Sequence, residues 1–220
     1  MVTRLIQFYL KYFVIQADGQ SCFEALSPGQ ISSQEMGELI LFRARQFEQK
    51  SPHLLTEFQA ELESNLALDQ RSHHILARRK DGSLIGALRM TPFPFEISAI
   101  LDEANQLSDT LKLNLEISRL VTDSRVKNVG KKLLILAGLH AVETTSSLGF
   151  VGVCRVDKTS YFESFGMRKV GLPVKIKGRP FDYHLIAGDF TLMRLLSFWN
   201  YVTRLSQNPF KLRRVHERVS

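Results

Sequence analysis

The segment LEISRLVTD, residues 115–123, places charged groups inside a run of strand-forming residues. Glu116, Ser118 and Arg119 are its candidate functional residues. A carboxylate in such a place can serve as a general base, and an arginine can hold an anionic group through charge-assisted hydrogen bonds. The alternative is a buried ion-pair network in which these charges only satisfy one another.

The alternation of apolar residues in this strand slips by one position at Ser118-Arg119. Up to that point apolar side chains occupy every second position: Leu111, Leu113, Leu115 and Ile117. The next two apolar residues, Leu120 and Val121, are adjacent. A β-bulge produces such a slip, re-aims side chains and frees backbone N–H groups. We therefore predict a strand from Leu111 onwards, whose bulge lets the three candidate residues face one pocket.

Two further arginines fall on faces that are otherwise apolar. Ser32 or Ser33 can cap a helix that begins near Gln34. Spacings of three and four residues define the apolar stripe of this helix, which includes Arg43: Met36, Leu39, Ile40, Arg43 and Phe47. A charge on this stripe is costly to bury unless it is paired.

The second arginine lies in a predicted β-hairpin, SHHILARRKDGSLIGALRMTP. Two strand-forming runs flank the turn signal Asp81-Gly82, which is typical of a tight hairpin turn. In the second run the alternation puts Ile85, Ala87 and Arg89 on one face. Arg89 is thus another cation on a face that begins apolar.

A glycine-bearing basic loop, RVKNVGKKLL, follows the bulged strand and leads into a helix, KKLLILAGLHAVETTSSLG. The free N–H groups and the dipole of a helix N-terminus next to Gly130 suit a phosphate or pyrophosphate. Lys127, Lys131 and Lys132 add positive charge. A solvated basic loop would contain the same residues, so both interpretations stay open.

The order of the remaining elements predicts an α/β (α+β) fold. FVGVCRV is typical of a strand covered on both faces, KTSYFESF of a short helix, and MRKVG and FDYHLIAGD of final strands. A strand, loop, helix and strand in succession implies a parallel pair. We predict a central mixed, twisted sheet flanked by helices. The predicted divisions are an N-terminal amphipathic helix and loop (1–33), the main domain (34–190), and a C-terminal amphipathic helix with a basic tail (191–220).

The composition of the 220 residues is that of a folded protein, with 44% hydrophobic and 23% charged residues. The formal net charge of +7 favours anionic partners: nucleic acid, anionic lipid, phosphate-bearing cofactors or an acidic carrier protein. The sequence shows no combination of aromatic and basic residues that would form a binding surface for single-stranded nucleic acid, so no nucleic acid partner is predicted. Cys22 and Cys154 are far apart, and His73 and His74 lack ligands at metal-site spacing. Neither a disulfide framework nor a metal site is therefore predicted.

The apolar run LIQFYLKYFVIQADG near the N-terminus is too short to span a bilayer and lacks the cleavage pattern of a signal peptide. A packed or interfacial amphipathic helix is the preferred interpretation. The expected location is the cytoplasm, with a peripheral membrane contact as the alternative.

SRVKNVGKKLL resembles the acyl-CoA loop of the GNAT acyltransferase superfamily, with Arg125 and Gly130 at the ends of the pattern. Asn128 stands where that pattern has its middle glycine. YFESFGMRKVG resembles a later segment of the superfamily, with Phe162 where many acetyltransferases carry a general-acid tyrosine. The resemblance implies that an acyl thioester, through its phosphopantetheine, binds at five residues: Arg125, Lys127, Asn128, Gly130 and Lys131.

A narrower resemblance covers most of residues 36–187. FRARQF, LIGALRMTP, PFEI, LEISRLVTD and GLPVKIKGRPFDYHLIA, in that order, resemble segments of the acyl-homoserine lactone synthases, including the divergent LuxM/AinS-type branch. This resemblance implies a GNAT-like fold and a catalytic set: Glu116, Arg119, Asp69 and Arg89. It also implies a substrate-binding set: Arg43, Phe47, Ser118 and Val121.

Members of that family transfer an acyl group from an acyl-carrier protein or coenzyme A to the amine of S-adenosylmethionine. The product cyclises to a lactone and releases methylthioadenosine. The resemblance implies S-adenosylmethionine as a substrate and no tightly bound cofactor. Glu116 would accept the amine proton, backbone N–H groups between Arg119 and Val121 would stabilise the oxyanion, and Arg43 and Arg119 would hold the substrate carboxylate. Asp69 would orient the arginines.

The donor side of this reaction has its own candidate residues. Ile135, Leu139 and Val142 either line an acyl cavity or, as preferred, pack in the core. An acidic acyl-carrier protein would dock on a group of cations: Lys127, Lys131, Lys132 and Arg155. The alternative enzyme is a long-chain N-acyl amino acid synthase, and the non-enzyme alternative is a basic module that binds membranes or nucleic acid.

Overall fold

The computed structural model describes most of the chain: residues 21–99, 107–176 and 178–191, together with residues 10, 101, 195 and 199. The predicted N-terminal helix, and the predicted C-terminal helix and tail, fall largely outside the described residues. Among the residues that are described, no helix is both long enough and apolar enough to cross a membrane.

A mixed sheet forms the centre of the protein. In the described part of the chain its strands are β1 (Ser21–Leu26), β2 (His73–Arg79), β3 (Leu84–Thr91), β4 (Leu115–Thr122), β5 (Gly149–Arg155), β6 (Arg168–Lys175) and β7 (Asp182–Asp189). They lie in the order β1-β2-β3-β4-β5-β7-β6. β4 and β5 are parallel, whereas the other neighbours are antiparallel. The predicted mixed α/β fold is confirmed.

Helices cover both faces of this sheet. They are α1 (Ser33–Lys50), α2 (Pro52–Ala60), α3 (Leu62–Gln70), α4 (Asp109–Lys112), α5 (Val129–Thr144) and α6 (Thr159–Glu163). Ser32 caps α1, as predicted, in a capping box with Glu35. This cap fixes where α1 begins.

Two clusters of the hydrophobic core lie on opposite faces of β3. Leu133 of α5 and Leu88 of β3 belong to the first cluster, and Leu39 of α1 and Ala87 of β3 to the second. Leu88 and Ala87 are neighbours, and successive strand residues point to opposite faces. Burying a leucine such as Leu39 or Leu133 stabilises the fold by about 1.5–3 kcal/mol. β3 is therefore held from both sides.

β4 and β5 are paired only where they begin. In the described chain their pairs are Leu115 with Phe150 and Glu116 with Val151. Gly152, the next residue of β5, lies so close to Ile117 that an added Cβ would be 2.7 Å from the backbone oxygen of Ile117. The later residues of the two strands border a cleft instead of pairing.

The predicted bulge is confirmed in β4. Ser118 lies opposite Arg89 of β3, and Val121 lies opposite Ala87. Two residues of β4, Arg119 and Leu120, therefore face a single residue of β3. Arg119 has a φ of 53°, which is uncommon for a residue with a side chain.

Three local predictions were wrong. The run before Leu115 does not start the strand, because Asp109–Lys112 forms the short helix α4 behind the Ser108 cap. The predicted loop before residue 33 contains β1, which pairs with β2 throughout its length. Ile85 does not share a face with Ala87 and Arg89, because a register shift at Arg78 moves Ile85 into the cluster beneath α5.

The close approach of β5 to β4 can be tested with Gly152→Ala. The added methyl group would meet the backbone of Ile117, so we expect the free energy of unfolding to fall by about 1–3 kcal/mol. Gly138→Ala is the matched control in α5, where nothing lies within 4 Å of an added Cβ. It should be neutral or stabilise the protein by up to about 1 kcal/mol. Equal urea midpoints for the two variants would contradict the packing described here.

Candidate active site

Arg43, Asp69 and Arg89 form the innermost part of a buried ionic network. Nη1 of Arg43, on α1, donates to both carboxylate oxygens of Asp69, at 2.9 and 2.7 Å. Nη1 of Arg89, on β3, donates to Oδ1 of Asp69 at 3.3 Å. These side chains are at most 1% exposed. Burial raises the pKa of Asp69, but the two arginines outweigh burial and hold that pKa below its usual value.

Glu96 extends this network to the bulge of β4. It lies in the segment after β3, and its carboxylate pairs with both Arg89 and Arg119. Nη2 of Arg119 also donates to Oδ1 of Asn65, on α3, at 3.0 Å. Burial raises the pKa of Glu96, but Arg119 and Arg89 outweigh it, so the pKa lies below its usual value. Glu96 therefore bridges two cations as an anion.

Aromatic rings and unpartnered donors complete the surroundings of these arginines. The guanidinium carbon of Arg119 lies 5.8 Å from the ring centroid of Phe47 and 5.6 Å from that of Phe58. Nε and Nη2 of Arg43 and Nε of Arg119 are buried without a hydrogen-bond partner among the described residues. Buried donors without acceptors cost free energy. An anionic ligand would supply such acceptors.

Glu116 lies beside this network with its side chain fully buried. Its two carboxylate oxygens accept the backbone N–H groups of Glu96, at 2.6 Å, and Ile97, at 3.0 Å. Burial, followed by the negative charge of Glu96, raises the pKa of Glu116 to about 7, against the opposing effect of Arg89. Such a carboxyl group exchanges a proton near neutral pH, as a general base must.

A cleft of about 700 Å³ opens where β4 and β5 part. Ser118 and Arg119 line it, and both also belong to the ionic network: Nε of Arg89 donates to Oγ of Ser118 at 3.1 Å. Much of the remaining wall is apolar: Leu88, Ile117, Leu120, Val126, Val129, Val153, Phe162, Phe165 and Ile186. The cleft thus combines a largely apolar wall with polar groups of the bulge.

The N-terminus of α5 also borders the cleft. Asn128, Gly130 and Lys131, three of the residues predicted to bind an acyl thioester, line it. Asn128 adopts a left-handed conformation with a φ of 64°, which asparagine tolerates better than most residues. No side chain caps the helix at Asn128. A Cβ at Gly130 would lie 3.2 Å from the hydroxyl of Tyr161, so glycine allows the two segments to approach.

Other predicted site residues lie away from the cleft. Arg125 and Lys127 line a separate recess near the hairpin turn, and Arg125 donates to the Asp123 carboxylate at 2.7 Å. The side chain of Val121 packs in the core cluster beneath α1. Two residues considered for an acyl cavity, Ile135 and Leu139, also pack in the core, which was the preferred interpretation.

The structure brings together residues that are distant in sequence. The network and its surroundings unite seven predicted residues: Arg43, Phe47, Asp69, Arg89, Glu116, Ser118 and Arg119. No sequence pattern predicted a role for Glu96, Asn65 or Tyr161. The segment PFEI contained Glu96, but no periodic pattern distinguished its carboxylate from those on the surface. In the described residues no group of three or more histidine, cysteine or acidic side chains is arranged to hold a metal.

Solved structures with a similar fold were found at low sequence identity. TofI in an apo form is 18% identical, with a TM-score of 0.61, over 80% of this chain and 95% of TofI. The AHL synthase LasI is 13% identical, with a TM-score of 0.60, over 82% and 95% of the two chains. FeeM, an N-acyl amino acid synthase from uncultured soil microbes, is 10% identical, with a TM-score of 0.60, over 80% and 94%.

These similarities establish the fold, and the expected GNAT-like architecture is confirmed. No protein-family model matches the chain. No curated protein matches it in sequence either.

Asp69→Asn tests the buried part of the network. The substitution leaves Arg43 and Arg89 without their shared anion, so we expect a loss of about 3–5 kcal/mol in the free energy of unfolding at pH 7. Asp109→Asn is the control, because Asp109 pairs with Lys112 on the surface, where solvent screens the pair, and should change stability far less. The pKa of Asp69 is lowered in the folded state, so its contribution disappears as the pH falls through that pKa. Equal destabilisation by both variants at pH 7 would contradict this assignment.

Proposed function

We propose that this protein is an N-acyltransferase that makes an N-acyl-homoserine lactone from S-adenosylmethionine and an acyl thioester. The observation that carries the proposal is the position of Ser118 and Arg119. Both line the apolar cleft, and both bond to the buried network of carboxylates and arginines. A thioester in the cleft and an amine at the network would meet at these residues.

The donor side of the proposal rests on the shape of the cleft. An extended phosphopantetheine arm would lie between β4 and β5, with its phosphate near the uncapped N-terminus of α5 at Asn128 and Gly130. Its amide groups would bond to backbone groups of β4 that β5 does not use. The apolar wall would hold the acyl chain. Lys131 and Arg155, at the same cleft, would face an anionic donor, either coenzyme A or an acyl-carrier protein.

The acceptor side rests on the charges around Arg119. The unpartnered donors of Arg43 and Arg119 would bind the carboxylate of S-adenosylmethionine. Phe47, whose ring lies near the Arg119 guanidinium, would form a wall of this pocket. Asp69 would keep Arg43 and Arg89 in place through their hydrogen bonds. Positioning of two substrates in this way supplies much of the rate enhancement of a bimolecular transfer.

In the acyl transfer, the amine nitrogen forms a bond to the thioester carbonyl carbon, and the carbonyl oxygen becomes an oxyanion. Backbone N–H groups of the bulge between Arg119 and Val121 would stabilise that charge. The amine proton passes to Glu116. Because Glu116 does not line the cleft, the proton would move through the Ser118 hydroxyl or a water molecule. Collapse of the intermediate breaks the carbon–sulfur bond, the thiolate leaves with the bonding electron pair, and it takes up the proton that Glu116 accepted, by the same route.

Lactone formation follows within the same bound molecule. The carboxylate of the acylated methionine moiety attacks the γ-carbon, and the bond from that carbon to the sulfonium sulfur breaks. The sulfur keeps the electron pair, so neutral methylthioadenosine leaves and no further proton is needed. Arg119 must hold the carboxylate close to its target without neutralising it completely, which the competing pairing with Glu96 allows.

Product identification tests the proposal. Purified protein is incubated with S-adenosylmethionine and a panel of acyl thioesters on coenzyme A and on acyl-carrier protein, and products are identified by mass spectrometry. We expect an acyl-homoserine lactone and equimolar methylthioadenosine. A parallel incubation with free amino acids should give no product. Acyl amino acids in place of lactones would contradict the proposal and favour an N-acyl amino acid synthase.

A further inference from the structure

Glu96 occupies a central place in the site. Its carboxylate joins Arg89 on β3 to Arg119 on the bulge of β4. Its backbone N–H holds the Glu116 carboxylate at 2.6 Å. The side chain of Glu96 is 13% exposed, whereas those of Arg89 and Arg119 are 0% and 5% exposed. Among these charged groups, Glu96 has the most access to solvent.

We propose that Glu96 is a positioning residue for acyl transfer, which holds the Arg119 guanidinium at the wall of the cleft and fixes the Glu116 carboxyl group beside it. This inference rests on the proposed transfer to an amine acceptor. Glu96 lies in the loop between β3 and β4. In the proposed reaction it links the acceptor pocket to the proposed base.

The backbone of Arg119 shows why its side chain needs such a partner. A φ of 53° is unfavourable for a residue with a Cβ, so surrounding contacts must hold the residue there. Glu96 and Asn65 both accept from the same nitrogen, Nη2 of Arg119. These bonds fix one end of the guanidinium, while Nε stays without a partner. The carboxylate of Glu96 thereby determines which nitrogens of Arg119 are available to a substrate.

Glu96 also controls the surroundings of Glu116. The charged groups that act on Glu116 are Glu96 itself, Arg89 on β3 and Arg71 at the end of α3. The negative charge of Glu96 disfavours ionisation of Glu116, and the arginines favour it. Removing that negative charge must therefore lower the pKa of Glu116, because the arginines stay in place.

The test compares three variants by steady-state kinetics between pH 5.5 and 9 and by thermal unfolding. Glu96→Gln removes the charge but keeps the shape, and Glu96→Asp keeps the charge. Glu24→Gln is the matched control, since Glu24 on β1 accepts from Nε of Arg78 on β2 at 2.8 Å, in a pair that includes no residue of the ionic network. For Glu96→Gln we expect kcat/KM for S-adenosylmethionine to fall about tenfold or more, through loss of charge-assisted hydrogen bonds. The acidic limb of the plot of kcat/KM against pH should shift to lower pH by about one unit.

Glu96→Asp should keep the wild-type acidic limb even if its rate falls, and Glu24→Gln should keep both rate and limb. A folded Glu96→Gln protein with the wild-type kcat/KM and the wild-type limb would overturn the inference. So would a loss of thermal stability with unchanged kinetics.

Failure of the proposed function has a different signature. If the wild-type protein makes acyl amino acids, the same kinetic comparison is made with that acceptor. If it makes no acyl product, an NMR titration of ¹³C-labelled glutamate decides the inference about Glu96. The Glu116 carboxyl group should titrate at lower pH in Glu96→Gln than in wild type, and identical titrations would overturn the inference.

Discussion

The separation of β4 from β5 after Glu116 is the constraint on which the site depends. One edge of β4 pairs with β3 through the bulge, whereas the other edge leaves β5 after two residue pairs and borders the cleft. Because the strand carries Ser118 and Arg119 just after this point, the opening places these two members of the ionic network in the wall of the cleft. Close packing at Gly152 keeps the strands together up to the point where they part.

The electrostatics of the network favour a functional interpretation over a purely structural one. Arg43, Arg89 and Arg119 are buried against Asp69 and Glu96, with Glu116 poised to gain or lose a proton. Buried ion pairs contribute little net stability compared with apolar packing of the same volume. A network kept for stability alone would also leave no buried donor without an acceptor, whereas Arg43 and Arg119 retain such donors.

The sequence predicted those parts of the structure that local patterns encode. The slip of apolar period at Ser118-Arg119 revealed the bulge, and the apolar stripe around Arg43 required a buried partner for that arginine. The sequence did not identify Glu96, because the segment TPFPFEIS has no regular apolar period. The contacts of this loop depend on how it crosses the sheet. The predicted start of β4 was wrong for a related reason. Leu111 and Leu113 have the alternating spacing of a strand, but Ser108 caps a helical turn that includes Leu111. Arg125 and Lys127 carried the expected charges, but the loop directs them to a separate recess.

The central claim is that the acyl donor and the amine acceptor bind at the same time, on the two sides of β4, and react directly with each other. The structure offers little support for an acyl-enzyme, because Cys154 in the cleft is buried and burial raises the pKa of its thiol. Initial-rate kinetics with both substrates varied test this claim most directly. Direct transfer in a ternary complex predicts double-reciprocal lines that intersect, both for the wild-type protein and for Cys154→Ser. Parallel lines that are lost in Cys154→Ser would contradict it, because the acyl group would then leave its donor before the amine binds.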